Sequence, residues 1–527
     1  MRAERLFQAL GLVDPALVEE AVELRRQRTT WKRWAAMAAC LTLVLGLGFR
    51  WFATGGFRGF GAGGGLYSGL DSGSSGGAPA DSGVDGYNGA EEGITFMSYA
   101  GPVFPLTTLE DSSRLTAERT ITWDFTPGAY PDGEPRQWGA EVSDTYVLRN
   151  DTDADIAATA LYPFAGSFDS LAETRPQVSV DGESTEITLY AGPYSGGFES
   201  TYGAGILDTM NLDTLNSWHE YKALLENGSY LQQALKEYPV LDTPVTVYQF
   251  SDFSAPHADY PAATQAISFD INPEETTIFT YGINGMEWDE TFRRYNYFVP
   301  DGMRNESDLK LLIVLGEDIG PYSLQGYENG GCHRGEEIDG VSCTVARSET
   351  TMDAVLDRLC REYEERYGLS QTGRGGASVS FEMYRGAVSE LLTQYGVISS
   401  TPMDRYADGR LDDILSETLS HHRVLYLAFP VTVPAGGSAS VNCVLWKEPS
   451  FDFACSGSEN EGFQGYDLLT GLGSTLKFTG QSAALLNAEN LEIAGQNFGF
   501  NLENGITTVN LAPETEHYYM ELRPRGD

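Results

Sequence analysis

Basic side chains are scarce in this sequence of 527 residues, which has 34 Lys and Arg against 75 Asp and Glu and a formal net charge of -41 at pH 7. Nucleic-acid binding depends on clustered Lys and Arg that neutralise phosphates. The scarcity argues against a DNA or RNA binder, and we predict no nucleic-acid partner. Hydrophobic residues make up 41% of the chain, so it is not a disordered acidic polymer.

Long apolar runs are equally scarce, since only Trp34 to Phe52 forms one, and its single charge is Arg50. A helix of this length just spans a bilayer core of about 30 Å. Aromatic residues at both ends match the interfacial belts of membrane helices. We therefore predict a transmembrane helix over residues 34–52. A cleaved signal peptide, a lipoprotein leader and a buried soluble helix stay open as alternatives, although more than 30 residues precede the run.

The charge distribution predicts the topology of this span. Residues 1–53 contain 8 basic and 5 acidic residues, so they carry a net charge of +3 and the rest of the chain carries -44. Because basic flanks stay in the cytoplasm, we predict a single-pass cell-membrane protein with a cytoplasmic segment 1–33 and an extracytoplasmic C-terminal body. A short helix is predicted from Pro15 to Arg28. It either binds a cytoplasmic regulator or prolongs the membrane helix.

The remaining chain divides into a linker and a folded body. Residues 53–94 are rich in Gly, Ser and Asp and predict a flexible linker with a reach of roughly 35 Å. Short strand signals with Gly and Pro turns follow, with amphipathic helical stretches between them. The fold class predicted is α+β, with β-sandwich-like sheets and inserted helices. The predicted regions are a β-rich region 95–345 with a helical insert near 211–238, a helical region 346–422 and a C-terminal β-rich region 423–527.

Hydrophobic periodicity also predicts individual elements of the body. Helices are predicted over 351–367, 381–395 and 411–419, and more weakly over 212–238 with a break at Asn227-Gly228. Strand pairs joined by short turns are predicted at 145–148 with 156–164, at 178–180 with a turn at Asp181-Gly182, at 424–433 with 439–446, and at 498–502 with 506–511.

The N-terminal segment resembles a known type of leader. Its pattern is LFQALGLVDPALVEEAVE, then a basic stretch with Trp, then WAAMAACLTLVLGLG. This resembles the leader of single-pass, membrane-anchored exported proteins of Gram-positive gut anaerobes, some of which are anti-sigma-like or sensor-like. The resemblance covers about a tenth of the chain. It implies membrane anchoring and implies nothing about the chemistry of the body.

Cysteines are few, and five of the six follow the apolar run. Cys332 and Cys343 are 11 positions apart, and Cys443 and Cys455 are 12 apart, spacings that allow two local disulfides in an exported domain. Free core thiols are the alternative. Cys360 lies beside an apolar residue on a predicted helix, so we predict a buried, inert thiol there.

Two further groups of side chains are candidate sites. Asp151, Asp153 and Asp155 alternate like the start of a calcium loop, since closely spaced carboxylates suit Ca²⁺. The EF-hand pattern fails, and a solvated hairpin turn is the alternative. The adjacent His421 and His422 follow a predicted helix, where we predict a capping or surface role. Apart from calcium, no cofactor is predicted.

These features favour a non-enzymatic binding or interaction protein of the cell envelope, with an envelope protein or polymer as its partner. The first alternative is a transmembrane signalling protein, anti-sigma-like or sensor-like, whose N-terminal segment binds a cytoplasmic regulator. The second alternative is a polymer-degrading hydrolase. Its paired carboxylates cannot be singled out among 75 acidic residues, so no catalytic residue is predicted.

Overall fold

The computed structural model describes residues 100–110, 114–130, 133–136, 138–194, 218–302, 308–367, 377–400, 402, 406–452 and 462–525. Strands contain 45% of these residues and helices contain 16%, as expected for a β-rich body with inserted helices. The predicted cytoplasmic segment, transmembrane helix and linker lie outside the described residues. Within the described ranges, no helix is both long enough and apolar enough to cross a membrane.

Strands are the most common elements of the described chain. In chain order these are β1 (Thr107–Thr108), β2 (Leu115–Asp124), β3 (Ala140–Asn150), β4 (Ile156–Gly166), β5 (Gln177–Val180), β6 (Glu183–Ser184), β7 (Thr188–Ala191), β8 (Pro244–Ser254), β9 (Thr264–Asp270), β10 (Thr276–Tyr281), β11 (Gly285–Asp289), β12 (Phe292–Phe298), β13 (Lys310–Gly316), β14 (Ser323–Tyr327), β15 (Glu337–Ile338), β16 (Ser342–Thr351), β17 (Arg423–Val433), β18 (Ser438–Lys447), β19 (Phe451–Asp452), β20 (Gln464–Leu469), β21 (Lys477–Leu486), β22 (Leu491–Gln496), β23 (Thr508–Asn510) and β24 (His517–Pro524). The helices are α1 (Leu171–Thr174), α2 (Trp218–Leu225), α3 (Ser229–Ala234), α4 (Met352–Tyr367), α5 (Phe381–Gln394) and α6 (Leu411–Ser420).

The described chain forms two compact units. The inserted unit contains Leu241–Val355 and Asp408–Asp412. The main unit contains the described residues of Ser72–Val240, Leu356–Ala407 and Asp413–Asp527. Each unit is therefore assembled from segments that are far apart in sequence.

The inserted unit is built from two antiparallel sheets that share one core. Their strand orders are β10-β13-β8-β16 and β11-β12-β9-β14-β15. Because side chains alternate across a strand, each strand contributes every second residue to the core. Phe250 and Leu312 enter it from the first sheet, and Ile267 and Tyr297 enter it from the second. The two sheets thus face each other, which is compatible with a β-sandwich-like architecture.

The main unit contains three sheets. Their strand orders are β1-β4-β17-β7, β23-β21-β2-β3-β18-β5-β6 and β19-β20-β24-β22. Val103 forms bridges to Phe164 of β4 and to Leu468 of β20, so it connects two of these sheets. β17 and β18 follow each other in sequence but belong to different sheets, as do β3 and β4. The candidate site described below lies in this unit.

A buried ion pair connects the seven-stranded sheet to the other strands of the main unit. Arg119 on β2 donates from Nε and Nη2 to the carboxylate of Asp144 on β3, at 2.9 and 2.7 Å. The same guanidinium donates to the carbonyl oxygens of Leu469 and Phe104 at 2.8 and 3.1 Å. Tyr146 adds a hydrogen bond to Asp144 at 2.6 Å. Since both charges are buried, these bonds offset their loss of hydration.

Most of the predicted elements are present. α4, α5 and α6 confirm three predicted helices, and the weaker stretch forms α2 and α3, separated at Asn227-Gly228. β5 and β6 form the predicted hairpin. The strands predicted at 145–148, 156–164, 424–433 and 439–446 exist, although each pair is divided between two sheets.

The predicted strand at 498–502 is wrong. A 3-10 turn spans Leu502–Asn504, and the Asn501 side chain accepts the Asn504 N–H at 3.0 Å. Asparagine can bond in this way to its local backbone, which favours a turn over a strand ladder.

Candidate functional site

A small pocket in the main unit has four nitrogen-bearing side chains in its wall. These are Arg136, His422, Trp446 and Lys447, and the rest of the lining is mostly apolar apart from a few polar residues that include Glu173 and Glu448. We call it the donor pocket. Its volume is about 80 Å³. Pockets for drug-sized ligands measure about 300–1,000 Å³, and a water molecule in the liquid takes about 30 Å³. The donor pocket therefore has room for a few waters or for one small polar group.

The strand arrangement brings the lining residues together. Trp446 and Lys447 end β18, and His422 directly precedes β17. β17 runs into β18 through the turn at residues 434–437, so the start of β17 and the end of β18 lie at the same end of the two strands. Arg423, the residue after His422, pairs with Gly166 of β4, whose C-terminal half also lines the pocket. The pocket thus forms where strands of two different sheets begin and end.

Arg136 reaches the pocket from the loop between β2 and β3. Its backbone N–H donates to the Gly128 carbonyl at 2.8 Å and closes the loop. The guanidinium carbon lies 4.6 Å from the ring centre of Tyr130 and 4.8 Å from that of Trp446. Such cation–π contacts are worth about 0.5–2 kcal/mol each, depending on desolvation. Two aromatic rings therefore hold the plane of the Arg136 side chain in place.

Two glycines leave room for the indole of Trp446. A Cβ added at Gly128 or at Gly139 would lie 2.5 Å from indole atoms, closer than atoms can approach. Gly139 also has a φ of +116°, a region that L side chains rarely adopt. The loop can therefore carry no larger residue at these positions unless Trp446 moves.

Several donors of the pocket have no acceptor among the described residues. Arg136 uses Nε and Nη2 for the carbonyls of Ala129 and Glu173, at 3.4 and 2.7 Å. Its buried Nη1 makes no hydrogen bond within the described chain, and the nearest carboxylate, that of Glu448, is 3.8 Å away. The buried Nε1 of Trp446 likewise makes no hydrogen bond within the described chain. A distance of 3.8 Å is too long for a hydrogen bond.

Lys447 adds a second cation to the pocket. Its buried ammonium donates to the carbonyls of Ala100 at 3.4 Å and of Glu448 at 3.1 Å. Burial lowers the pKa of Lys447 to about 8, although the carboxylates of Asp467 and Glu448 act in the opposite direction. The ammonium therefore keeps its charge at neutral pH.

His422 contributes a neutral imidazole. Burial lowers its pKa to about 4, and the positive charges of Lys447 and His421 add to this effect. Its Nδ1 is shielded from solvent and has no hydrogen-bond partner in the described part of the chain. At neutral pH the pocket thus has two cations, Arg136 and Lys447, and two carboxylates, Glu173 and Glu448, in its wall. The Glu448 side chain is 51% exposed, and where it turns to solvent the two cations suit a small anionic group.

The structure does not assemble the predicted calcium site. Asp151, Asp153 and Asp155 are all exposed in the turn between β3 and β4. One carboxylate oxygen of Asp155 accepts the backbone N–H of Ala435 at 2.9 Å. Within the described ranges, no three His, Cys, Asp or Glu side chains are grouped to hold a metal ion. The Asp-rich turn matches the hairpin alternative, in which the residues serve the turn itself.

The predicted pairing of Cys332 with Cys343 is not formed, since both are free thiols. Cys332 packs with Ala266 of β9, whereas Cys343 packs against the core that contains Ile267. Neighbouring residues of a strand point to opposite faces of the sheet. The two cysteines therefore lie on opposite faces of the five-stranded sheet, which prevents a disulfide.

The other cysteines are also free where the structure describes them. Cys443 is fully buried on β18, opposite Asp144 of β3, and burial raises the pKa of its thiol. Its predicted partner, Cys455, lies outside the described residues. Cys360 is buried in α4, and burial raises the pKa of its thiol to about 12. It is thus the buried thiol that the helical periodicity predicts.

Of the capping or surface role predicted for the two histidines, the surface role is wrong for His421. His421 is buried, and its Nε2 lies 3.0 Å from the hydroxyl of Tyr406 and 3.2 Å from a carboxylate oxygen of Glu417. His422 lines the donor pocket. Both follow α6 directly, and the chain there turns inward to begin β17 instead of staying at the surface.

Sequence reasoning also missed the three main residues of the donor pocket, Arg136, Trp446 and Lys447. A signal was available for Lys447. Val441, Cys443, Leu445 and Lys447 alternate along β18 and are all buried. A lysine that continues such a buried stripe is unusual, because lysine is almost never fully buried without a partner. Arg136 lies in an irregular loop and has no comparable signal.

The chain matches no protein-family model, and no curated protein is similar enough to be matched to it. The site is therefore interpreted from its own geometry.

Proposed function

We propose that this protein is a membrane-anchored, extracytoplasmic binding protein without a catalytic role, and that the donor pocket is its ligand site. One observation carries the proposal. Arg136 and Trp446 are in contact and both line the pocket, and each has a buried N–H group without an acceptor among the described residues. An unsatisfied buried donor costs about 1–3 kcal/mol. A ligand that supplies acceptors removes this cost.

The sequence supports the membrane-anchored location. The apolar run 34–52, its basic flank and the leader resemblance all favour one span with the N-terminus in the cytoplasm. The Gly-rich residues 53–94 then give the body freedom to reach partners in the envelope. The finer description of the body as β-sandwich-like belongs to this proposal, since sandwich modules commonly present ligand sites at the ends of their strands.

A polymer-degrading hydrolase receives less support from this site. A glycoside cleft uses two carboxylates on either side of the scissile bond. The donor pocket has a volume of only about 80 Å³, and its two carboxylates, Glu173 and Glu448, share a mostly apolar wall with four nitrogen-bearing side chains. It suits the terminal group of a ligand better than a length of polymer.

Transmembrane signalling is a second candidate, favoured by one contact. Ala100, the first described residue after the predicted linker, lines the donor pocket, and its carbonyl accepts a hydrogen bond from Lys447. A ligand in the pocket would therefore touch the chain segment that leads toward the predicted span. This connection offers a route by which binding is reported to the cytoplasmic side.

The location is tested by cysteine labelling in intact cells with a membrane-impermeant maleimide. The variant Ile506→Cys places a thiol at an exposed position of the main unit. We expect it to be labelled in intact cells above the wild-type background. An Arg28→Cys variant serves as the matched control and reacts only after lysis. Labelling of Arg28→Cys in intact cells, with Ile506→Cys protected, would contradict the proposal.

A further inference from the structure

We infer that the donor pocket binds a single carboxylate group and that Glu448 is the internal carboxylate displaced by it. The inference deepens the proposed function, because it assumes that the pocket is a ligand site. It rests on the number, direction and charge of the groups that line the pocket.

The donors of the pocket are held in fixed positions. Arg136 is held by two carbonyl hydrogen bonds and by the rings of Tyr130 and Trp446. Only the Nη1 side of its guanidinium remains for a ligand. Trp446, whose ring centre lies 4.8 Å from the guanidinium carbon, has a second buried N–H group, Nε1, without an acceptor among the described residues. A carboxylate has two oxygens that can accept from such donors.

The size and charge of the pocket suit one small monoanion. A volume of about 80 Å³ admits one small group. Arg136 and Lys447 contribute two positive charges, and the carboxylates of Glu448 and Glu173 both line the pocket, so a ligand that displaces Glu448 has one negative charge to replace. Asp467 also acts on Lys447, but it does not line the pocket, and its carboxylate is bonded to His517 Nε2 at 3.0 Å. A monoanion therefore fits better than a doubly charged phosphate.

Glu448 lies close to the unpaired donor of Arg136 without bonding to it. Its carboxylate oxygen lies 3.8 Å from Arg136 Nη1, near enough for attraction and too far for a hydrogen bond. The Arg136 side chain is almost completely buried, whereas half of the Glu448 side chain is exposed. The Glu448 carboxylate can therefore turn to solvent, and a ligand carboxylate at hydrogen-bond distance from Nη1 can take its place.

The test is a calorimetric titration in which sodium acetate is added to the full-length protein in detergent. Acetamide is the neutral control of the same shape, and sulfate is the tetrahedral control. We expect acetate to bind and acetamide not to bind, with sulfate weaker than acetate. N-acetylglycine distinguishes the source of the carboxylate. If N-acetylglycine binds, the natural ligand is the carboxylate at the end of a peptide chain. If acetate binds and N-acetylglycine does not, the natural ligand is a small free acid. Both results support a ligand with a carboxylate group.

Three variants separate a binding role from a structural one. Glu448→Gln removes the competing charge and is expected to tighten acetate binding about threefold. Trp446→Phe keeps the ring that contacts Arg136 but removes its N–H, so it is expected to weaken binding about fivefold. Arg136→Lys keeps the positive charge but removes the planar guanidinium, so it is expected to weaken binding more than about tenfold. A purely structural role for these residues would not make Glu448→Gln bind more tightly.

The result that overturns the inference is absence of acetate binding by both the wild type and the folded Glu448→Gln variant. Tighter binding of sulfate than of acetate also overturns it, while leaving the pocket as a ligand site. The proposed function fails separately, through the labelling pattern of Ile506→Cys and Arg28→Cys in intact cells.

Discussion

Arg119 and Asp144 form a bidentate ion pair with both side chains completely buried, at 2.9 Å from Nε to Oδ1 and 2.7 Å from Nη2 to Oδ2. Burial alone would lower the pKa of Arg119, but the neighbouring Asp144 carboxylate raises it above its ordinary value. The Arg119 guanidinium also donates to the carbonyl oxygens of Leu469 and Phe104, and these hydrogen bonds help to keep the pair charged in the core. It joins segments that are far apart in sequence.

Asp144→Asn is expected to destabilise the protein strongly. The substitution leaves the Arg119 charge buried without its counter-ion, a change that costs about 3–5 kcal/mol. The measurement is the free energy of urea unfolding. The double variant Arg119→Met with Asp144→Leu is the control, because it removes both charges and is expected to recover part of the loss. A loss below about 1 kcal/mol in Asp144→Asn would contradict this account of the core.

Gly128→Ala is expected to displace Trp446 and to weaken acetate binding. Its added Cβ would lie 2.5 Å from the indole ring, so the indole or the loop must move. Such overpacking costs about 1–3 kcal/mol. Gly471→Ala is the matched control, since its Cβ would meet no atom within 4 Å and its φ is not in the left-handed region. Equal acetate affinities in both variants would show that the indole is not held by the loop.

Stability is expected to fall as the pH drops from about 6.5 to about 4, in part because of His422. In the folded protein, burial and the nearby charges of Lys447 and His421 lower the pKa of His422 to about 4. The unfolded chain therefore takes up the proton first, and protonation favours unfolding in this pH window. The full shift corresponds to about 3 kcal/mol. His422→Gln lacks this titration, so its unfolding free energy should fall less between pH 7 and pH 4.5 than that of the wild type; identical slopes would contradict the assignment.

Acetate affinity is expected to decrease as the pH rises through about 8. Burial lowers the pKa of Lys447 to that value, so the pocket loses one of its two cations there. Calorimetric titrations at pH 6.5, 7.5 and 8.5 measure the effect. Lys447→Met has no charge to lose, and its weaker affinity should stay constant over this range. A wild-type affinity that does not change with pH would exclude Lys447 from the binding site.

Local patterns in the sequence predicted elements better than they predicted connections. α4 to α6 follow from helical periodicity, which depends on residues three or four positions apart. β3 and β18 are also evident as strands. Their pairing, which joins Ala140 to Lys447, links positions about 300 residues apart, and no local pattern specifies it. For this reason the division of neighbouring strands between two sheets was not predictable.

The donor pocket could not be predicted from the sequence, for a related reason. Its residues come from an irregular loop (Arg136), the start of one strand (His422) and the end of another (Lys447). Each has an ordinary surface interpretation when considered alone. Only the stripe of buried residues that ends at Lys447 contained a usable signal. The calcium site, in contrast, was predicted from a local pattern that is not specific. Alternating carboxylates also occur in exposed turns that bind no metal.

The central claim is that the donor pocket binds a component of the cell envelope. The most direct measurement places a photo-reactive benzoylphenylalanine at position 448, beside the pocket, and at exposed position 506 of the main unit as control. After irradiation of intact cells, the account predicts a cross-linked envelope component at position 448 that is absent at position 506 and is lost when Arg136→Lys is added. Equal cross-linking at both positions, or cross-linking at 448 that Arg136→Lys leaves unchanged, would contradict it.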